Sequence, residues 1–459
     1  MIIQPGQFAT NSLRQSSRGD DICQILAAAI NSADPGGAIR NHVSLDDHQL
    51  IIDSKIYNLE LNKRVFVIGA GKAVVPMAAA VLNILGDRVT AGFVITKKGH
   101  LSGADINQGV PVSIIEANHP IPDQLNLEAS EKLLSLINHL NSDDLVLCLL
   151  SGGASALLMK PPAGISLHDL QVTTGLLLSC GADIGEINTI RKHLDEIKGG
   201  GLAKLVSPAS LVSLILSDVV GDSLDSIASG PTVADPTTFQ DAWKILIKYR
   251  LADQLPSSVV SHIQAGLVGK LPESLKLGNL ILDHVQNIIV GNNTTALLAG
   301  QRTAISSGFT TKLLISSLQG EASQAGQSLS ASAKSFFSSP IDIPRPACLI
   351  AGGETTVTIR GSGTGGRNQE LALGAVNSLS GDQSLILISL ATDGEDGPTD
   401  AAGAVATNQT YKAGLSLGHI PLEYLANNDS YHYFECLGDL IKTGPTLTNV
   451  NDLVFIFGL

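Results

Sequence analysis

The segment Val65-Phe-Val-Ile-Gly-Ala-Gly-Lys72 decides the fold. Its apolar start predicts a short buried strand, its glycines predict a tight turn, and the alanine-rich stretch that follows, up to Leu85, predicts a helix. Apolar runs at 145–150 and 211–216 alternate with helical patterns in the same way. This alternation predicts a doubly wound, mostly parallel and Rossmann-like α/β sheet.

The chain changes character near Pro231–Pro236, where Pro-containing turns follow one another. Strand and helix signals then alternate again, which predicts a second α/β domain. We expect an N-terminal Rossmann-like domain over 1–235 and a C-terminal α/β domain with a mixed sheet over 236–459. The last strand, at 450–457, could pack back on the first domain, and the active site is expected in the cleft between the domains.

Composition excludes several classes of protein. Of the 459 residues, 44% are hydrophobic and 15% are charged, which is not the composition of a disordered chain. The 29 Lys and Arg face 42 Asp and Glu, so the net charge is −13. Because no basic cluster offsets this charge, neither nucleic acid nor a membrane surface is an expected partner. No apolar run approaches the roughly 18 residues of a membrane span.

The cysteines and the N-terminus bear on localisation. The 5 cysteines lie far apart without a Cys-x-x-Cys pair, which predicts reduced thiols in a reducing compartment, the cytoplasm. The first 19 residues contain Arg14 and Arg18 but no acid, as organelle-targeting segments do, and they lack the apolar stretch of a secretion signal. The N-terminus could therefore be an organelle-targeting segment or an unstructured tail, and the sequence does not decide between them.

The sequence does not determine the oligomeric state, and a homo-oligomer is possible.

The turn at Gly69-Ala-Gly71-Lys72 predicts an anion site. Glycines let the backbone approach an anion, the following helix points amides at it, and Lys72 adds a full charge. The turn satisfies neither common nucleotide motif, since a Walker A loop would need Ser or Thr at Ala73 and a dinucleotide fingerprint would need Gly at Val74. A plain strand-to-helix turn with a solvated lysine is the alternative.

A second anion site is predicted at Ser151-Gly152-Gly153-Ala154-Ser155, directly after a buried strand. Its glycines and hydroxyls suit a carboxylate or a phosphate. The alternative is an ordinary polar helix cap at Ser155.

Basic and acidic residues farther along the first half add substrate-binding candidates. Arg191 and Lys198 are seven residues apart, so they would share a helical face and could bind an acidic substrate if one helix runs through both. A solvated stripe pairing with Glu186 or Asp195 is the alternative. Asp218 follows a buried strand and could hold a metal or a substrate hydroxyl.

Glycine-rich turns in the second half predict a nucleotide site. The candidates for binding it are Gly291, Asn292, Asn293, Gly353, Glu354, Thr355, Thr356, Gly365 and Gly366. The run from Gly361 to Gly366, closed by Arg367, predicts a phosphate cradle with a planar cationic clamp, against the alternative of a structural hairpin. Asp393, within an acidic turn after an apolar strand, suits Mg²⁺ together with Glu354; a surface turn is the alternative.

Taken together, these segments resemble the glycerate 2-kinase family, whose C-terminal part is called the MOFRL domain. The resemblance keeps order and spacing over nearly the whole chain, and each motif is weak by itself. The motifs are Gly69-Ala-Gly-Lys72, Ser151-Gly-Gly-Ala-Ser155, Arg191-Lys-His-Leu, Lys198-Gly-Gly, Ser217-Asp, Ser229-Gly-Pro-Thr232, Gly291-Asn-Asn293-Thr, Gly353-Glu-Thr-Thr-Val357, Gly365-Gly-Arg-Asn-Gln-Glu370, Thr392-Asp-Gly-Glu-Asp-Gly-Pro398 and Thr443-Gly-Pro-Thr446. One departure is Leu447, where the family pattern has a small residue, usually glycine.

The resemblance implies ATP-dependent phosphorylation of D-glycerate at its 2-hydroxyl, giving 2-phosphoglycerate and ADP, with Mg²⁺. It implies that Lys72 and Arg367 are the catalytic residues. Family members have also been labelled hydroxypyruvate reductases. An NAD(P)H-dependent reductase and a non-catalytic anion-binding protein are therefore the alternatives, although neither half carries a complete dinucleotide fingerprint.

These candidates combine into one mechanistic hypothesis. The turn 151–155 and Arg191 would hold the carboxylate of glycerate, while Lys72 and Arg367 would clamp the transferred phosphoryl group. Mg²⁺ would bridge the nucleotide phosphates beside Asp393 or Glu354. The acceptor of the 2-hydroxyl proton stays open between Asp218 and Asp393.

Overall fold

A computed structural model describes residues 2–60, 63–101, 111–338, 344–381 and 384–459. The chain divides into two compact units. The inserted unit comprises Pro35–Val290, and the terminal unit comprises Met1–Asp34 together with Gly291–Leu459. The predicted α/β class and the two-unit organisation agree with the structure, but the division differs from the predicted 1–235 and 236–459.

The turn-rich stretch that suggested a boundary lies inside the inserted unit. The amide of Ala203 donates to the carbonyl of Pro231 at 3.2 Å, and the amide of Asp235 donates to the carbonyl of Leu275 at 2.7 Å. Its backbone is therefore hydrogen-bonded to two other segments of the same unit. Turn composition marks a loop but does not distinguish a linker from a loop held inside a domain.

The helices and strands of the chain up to residue 291 run as follows. The N-terminal segment of the terminal unit forms α1 (Asn11–Gln15) and α2 (Gly19–Asn31). The helices of the inserted unit are α3 (Pro35–His42), α4 (Val74–Leu85), α5 (Gln124–Ile137), α6 (Ala154–Leu157), α7 (Leu167–Ser179), α8 (Ile184–His193), α9 (Gly201–Val206), α10 (Phe239–Lys248) and α11 (Ser257–Leu267). The strands are β1 (Val43–Asp46), β2 (Gln49–Ile52), β3 (Lys55–Asn58), β4 (Val65–Ala70), β5 (Val89–Lys97), β6 (Val112–Ala117), β7 (Leu145–Leu150), β8 (Ser210–Leu216) and β9 (Val285–Gly291).

The main sheet of the inserted unit has the strand order β6-β5-β4-β7-β8-β9. Strands β4 to β8 pair in parallel with their neighbours, and both β4 and β7 are buried along their whole length. The chain builds outward from β4 to β6 and then returns to β7 on the other side of β4. Open sheets of this kind bind ligands beyond the carboxyl ends of the strands at such a reversal, here between β4 and β7.

The remaining elements belong to the terminal unit. Its further helices are α12 (Asn293–Ser306), α13 (Ala322–Ser338), α14 (Arg367–Leu379), α15 (Thr410–Ser416), α16 (Pro421–Ala426) and α17 (Ser430–Leu437). Its strands are β10 (Thr310–Leu318), β11 (Ala347–Gly353), β12 (Leu385–Ala391), β13 (Gly403–Thr407), β14 (Leu440–Ile441) and β15 (Asp452–Gly458).

The terminal unit contains the predicted mixed sheet, in the order β10-β11-β15-β12-β13-β14. Strand β10 runs parallel to β11, whereas β15 is antiparallel to both β11 and β12. The expectation that the last strand packs back on the first domain is wrong, because β15 is fully buried at the centre of this sheet. The start of β15 therefore lies beside the carboxyl ends of β11 and β12, where polar turns follow both strands.

No helix in the described part of the chain combines the length and hydropathy that a membrane crossing requires.

Candidate active-site residues

The two glycine turns predicted in the first half meet at the reversal point between β4 and β7. The amide of Lys72 donates to the carbonyl of Gly152 at 2.9 Å, and the amide of Ser151 donates to the carbonyl of Ala70 at 3.2 Å. The Ser151 hydroxyl accepts a hydrogen bond from the amide of Ala73 at 3.0 Å. These bonds join the two turns into one structure, and they place Lys72 beside the 151–155 turn.

Groups able to bind an anion remain free at this joined turn. The ammonium group of Lys72 has no hydrogen-bond or ion-pair partner among the described residues, and the side chain is partly buried. The amides of Gly152 and Gly153 likewise find no acceptor in the described ranges. A cation and backbone donors at a strand-end reversal suit a carboxylate or a phosphoryl group.

Gly71 is required by the close approach of the two turns. Its φ is +142°, and a Cβ at this position would lie 2.1 Å from the Ser151 hydroxyl. No side chain fits there unless the turns separate.

We therefore expect Gly71→Ala to lower the free energy of unfolding by about 2–4 kcal/mol, from backbone strain and overpacking. Urea denaturation followed by circular dichroism measures this. The control is Gly175→Ala in α7, where a Cβ meets nothing within 4 Å, and it should stay within about 1 kcal/mol of the parent. Equal stability of the two variants would contradict the role of Gly71.

Two side chains, one after β8 and one after β6, lie against the same turn from opposite sides of the β4–β7 pair. A Cβ on Gly152 would lie 2.1 Å from Oδ2 of Asp218, and a Cβ on Gly153 would lie 3.1 Å from Nε2 of His119. Asp218, which follows β8, was predicted from its place after a buried strand. His119 follows β6 and was not singled out; the available signal was a histidine shortly after the apolar residues of 112–115.

The His119 imidazole is held in its neutral form. Burial, followed by the charges of Lys72, Lys97 and His100, lowers its pKa from 6.5 to about 4. Each of these causes disfavours the imidazolium.

This shift has a consequence for stability at low pH. Between pH 6.5 and pH 4 the unfolded chain takes up a proton at His119 that the native protein does not, so the native state loses stability as the pH falls. Because the ring is partly exposed, we expect a loss of only about 1 kcal/mol at about pH 5 relative to pH 7. Urea denaturation at both pH values should show a smaller decline for His119→Gln than for the parent. Equal declines would contradict the assignment.

Ser155 is held by hydroxyl and amide groups from other elements. It lies inside α6, so the alternative of a helix cap does not apply. Its Oγ is 2.5 Å from Oγ of Ser229, which donates to Oδ1 of Asn188 at 3.1 Å. Ser229 and the preceding Ala228 have φ of +59° and +52°. Left-handed backbone at two successive non-glycine residues is costly and often marks functional sites.

Arg191 and Lys198 differ in their contacts, so they are not expected to share one role. Helix α8 ends at His193, so the prediction of one continuous helical face through both side chains is wrong. Lys198 is buried and its Nζ lies 2.5 Å from Oδ2 of Asp195. Burial lowers the pKa of Lys198, and Asp195 opposes that shift. The pairing with Asp195 agrees with the alternative that the sequence left open, but Lys198 is buried and not solvated. The ion pair gives Lys198 a structural role.

Arg191 remains the candidate for an acidic substrate. The side chain is partly buried, burial lowers its pKa, and no acceptor or acid pairs with it among the described residues. A guanidinium stays charged in proteins. A partly buried cation without a counter-ion favours an anionic ligand.

In the terminal unit, Arg367 opens α14 and is held by two acids. Its Nε and Nη2 donate to the two carboxylate oxygens of Asp452 at 2.6 and 2.9 Å, and its Nη1 lies 3.1 Å from Oε1 of Glu354. Burial alone would lower the pKa of Arg367, but the Asp452 contacts raise it overall. Since a guanidinium has five N–H donors, some remain for a phosphate.

Asp452 was missed as a site residue. The sequence analysis placed it only within the last predicted strand, at 450–457. Asp452 is 85 residues from Arg367, and no local pattern pairs the two. Its position at the start of β15, between the ends of β11 and β12, brings it to Arg367.

The glycine loop before Arg367 is used differently from the prediction. The amides of residues 360–364 donate to oxygens of Asn427, Asn428 and Asp429. A Cβ on Gly365 or Gly366 would lie within 2.3 Å of Ser430 or Asp396, respectively. The glycines therefore permit close packing within the protein, although the loop is not the structural hairpin given as the alternative.

The N-terminus of α14 already holds an anion from the protein. Asp396 accepts hydrogen bonds from the amides of Asn368 and Gln369 at 3.1 and 2.9 Å. Burial raises the pKa of Asp396 to about 6, against the effect of these amides. Only the amides of Gly365, Gly366 and Arg367 find no acceptor in the described ranges, so any phosphate here is limited to them and to the Arg367 side chain.

The asparagines after β9 have structural contacts. Asn292 caps α12 by accepting from the amide of Thr295 at 2.8 Å. Asn293 donates to the carbonyls of Val450 and Asp452 at 2.8 and 3.0 Å, which fixes the start of β15. Their role in binding a nucleotide, and that of Gly291, stays a prediction.

The proposed metal ligands follow two different strands of the terminal unit. Glu354 follows β11 and forms an ion pair with Arg367. Asp393 follows β12, and its Oδ1 accepts a hydrogen bond from the amide of Glu395 at 3.2 Å. Thr355 is buried, and the amide of Thr356 donates to the carbonyl of Gly320. The described ranges contain no group of three His, Cys, Asp or Glu side chains arranged for a metal. Single carboxylates suit an ion that arrives already bound to phosphates.

Leu447, the one departure from the family pattern, has a φ of +65°. This left-handed conformation explains why glycine is expected at that position.

Comparison with known proteins places these features in one family. A domain of unknown function, DUF4147, matches residues 21–264, and the MOFRL family matches residues 347–452. Glycerate 2-kinase of Pyrococcus horikoshii is 42% identical over 432 residues, covering 94% of this chain and 95% of that protein. A protein of Agrobacterium vitis with a hydroxypyruvate reductase name is 38% identical over 94% of this chain and 92% of its own. The crystal structure of glycerate kinase from Thermotoga maritima superposes with a TM-score of 0.82 at 40% identity, covering 95% of this chain and 98% of that one. The chain therefore belongs to the glycerate 2-kinase family.

Proposed function

We propose that this protein transfers the γ-phosphoryl group of ATP to the 2-hydroxyl of D-glycerate, giving 2-phosphoglycerate and ADP. The observation that carries the proposal is the joined turn at the β4–β7 reversal, where Lys72 has no partner among the described residues. Its unpaired cation and free amides suit an anionic substrate and a transferred phosphoryl group. The names of the relatives support the choice of glycerate.

In the inserted unit, we assign the carboxylate of glycerate to Arg191 and to the turn 151–155. Arg191 supplies a partly buried cation that has no counter-ion among the described residues, and the amides of Gly152 and Gly153 supply neutral donors. Asp218 lies against Gly152 and is the acceptor that we assign to the 2-hydroxyl proton. Lys72 stabilises negative charge on the transferred oxygens.

In the terminal unit, we assign phosphate oxygens of ATP to Arg367. Asp452 fixes two of its donors and leaves others free, so the guanidinium is preoriented before a ligand binds. Glu354 and Asp393 are the carboxylates that we assign to Mg²⁺. When bound, Mg²⁺ neutralises part of the charge on the nucleotide phosphates.

The test is a coupled assay of ADP release with D-glycerate, ATP and Mg²⁺, in which the product is identified by nuclear magnetic resonance. We expect 2-phosphoglycerate. Formation of 3-phosphoglycerate alone, or no ADP release, would overturn the proposal.

Removal of the metal should abolish the reaction. We expect the rate to fall to background in excess EDTA and to return with added Mg²⁺, because the phosphate charge would otherwise repel the attacking hydroxyl. Full activity in excess EDTA would show that the reaction does not require the metal.

The reductase alternative is tested by oxidation of NADH with hydroxypyruvate. Val74 stands where a dinucleotide fingerprint requires its third glycine, so we expect no oxidation above background.

All 5 cysteines are free thiols, which fits our proposal of a cytoplasmic enzyme.

A further inference from the structure

His119 is placed at the Lys72 turn without an assigned task. Its Cδ2 and Nε2 lie 3.0 and 3.1 Å from the point where a Cβ of Gly153 would stand, and Cγ of Lys72 lies 3.5 Å from the same point. The imidazole edge, the stem of Lys72 and the backbone of Gly153 therefore meet at one place. Neither ring nitrogen has a hydrogen-bond partner in the described part of the chain.

The groups already assigned to the substrate narrow the choice of atoms that the His119 ring can bind. Lys72 and Arg191 are cations that suit the carboxylate and the phosphoryl oxygens, and Asp218 is an anion that suits a proton donor. The neutral imidazole offers one donor and one acceptor. Protonation of the ring is opposed by burial and by Lys72, so His119 is poorly suited to accept the proton of the reacting hydroxyl. The partner that matches a neutral donor and acceptor is a neutral hydroxyl.

We propose that the His119 imidazole hydrogen-bonds to the 3-hydroxyl of glycerate, the hydroxyl that is not phosphorylated, and thereby selects glycerate over 2-hydroxy acids that lack it. This inference rests on the proposed function. A site built around such a hydrogen bond binds a 2-hydroxy acid without the 3-hydroxyl weakly, because binding of that acid leaves the imidazole desolvated and without a hydrogen-bond partner.

The experiment compares D-glycerate with D-lactate, which keeps the carboxylate and the 2-hydroxyl and lacks the 3-hydroxyl. The KM for D-glycerate and the inhibition constant of D-lactate are measured for the parent enzyme, His119→Phe and His119→Gln. For the parent, D-glycerate should be favoured by about 5- to 100-fold. His119→Phe, which cannot hydrogen-bond, should bring this ratio to within about threefold of one, and His119→Gln should retain part of it.

The ratio separates a specificity role from a structural one. A structural role would weaken both ligands equally and leave the ratio at its parent value, which would overturn the inference; a ratio near one for the parent would also overturn it. If His119→Phe fails to fold or to turn over, the ratio of dissociation constants for His119→Gln, measured calorimetrically, decides. It should then fall below the parent ratio, and an unchanged ratio overturns the inference.

The same data test the proposed function separately. Absence of D-glycerate phosphorylation by the parent enzyme would defeat the proposed function itself. An active parent whose variants keep the ratio would defeat only the assignment of His119.

Discussion

Arg367→Lys is expected to lower kcat for glycerate phosphorylation by about 10²–10³-fold, with a smaller effect on the KM for glycerate. The guanidinium offers a planar fork, whereas an ammonium is a single hydrated point charge. Asp452 holds two guanidinium donors at 2.6 and 2.9 Å, and a lysine cannot satisfy both oxygens while still presenting a donor to phosphate. Steady-state kinetics in D-glycerate and in ATP separate kcat from the two KM values.

The matched control is Arg302→Lys, at an exposed position of α12, where the guanidinium has no hydrogen-bond or ion-pair partner among the described residues. It should leave kcat within about twofold of the parent. Circular dichroism and the unfolding midpoint show whether Arg367→Lys is folded, since loss of the bidentate pair with Asp452 also costs stability. A folded Arg367→Lys enzyme with parental kcat would show that Arg367 has a structural role and no catalytic one.

The sheet of the inserted unit could be predicted because short stretches of sequence encode its strands and helices. The apolar run before Gly69 encodes a buried strand, and the alternation of such runs with helical patterns encodes a parallel sheet. General preferences for connections between parallel strands reduce the number of possible strand orders but do not select one. The location of a candidate site at the end of β4 needed no knowledge of distant residues.

The candidate site could be predicted only in part because its contacts join residues far apart in sequence. The Gly69–Lys72 and 151–155 turns were each recognised as anion-binding, but the hydrogen bonds that join them depend on β4 and β7 being neighbours. The pair of Arg367 and Asp452 depends in the same way on β15 entering the middle of its sheet. Composition cannot show either pairing.

The glycine-rich loop illustrates a different limit. Glycine permits close approach, but the sequence does not say what approaches. At Gly71 it is the Ser151 turn, and at Gly365 and Gly366 it is Ser430 and Asp396. A pattern that predicts a phosphate cradle therefore also fits a loop packed tightly on its own protein. Only the acceptors of the loop amides distinguish the two.

Lys72→Met is expected to lower kcat by about 10²–10³-fold, in the range found when one stabilising donor of a transition state is removed. Methionine keeps much of the unbranched stem and removes the charge. The turn itself should survive, because the hydrogen bond from residue 72 to Gly152 is made by the backbone amide. The unfolding free energy should therefore stay within about 1 kcal/mol of the parent.

This combination of lost rate and kept stability is the signature that separates catalysis from folding at Lys72. Removing the cation also relieves one of the charges that depress the pKa of His119, so the imidazole signal in a nuclear magnetic resonance titration should move toward higher pH in Lys72→Met. The control is Lys270→Met, at an exposed position, which should change neither kcat nor the histidine titration. A Lys72→Met enzyme with parental kcat would show that the joined turn binds its anion through the amides of Gly152 and Gly153 and through Arg191 alone.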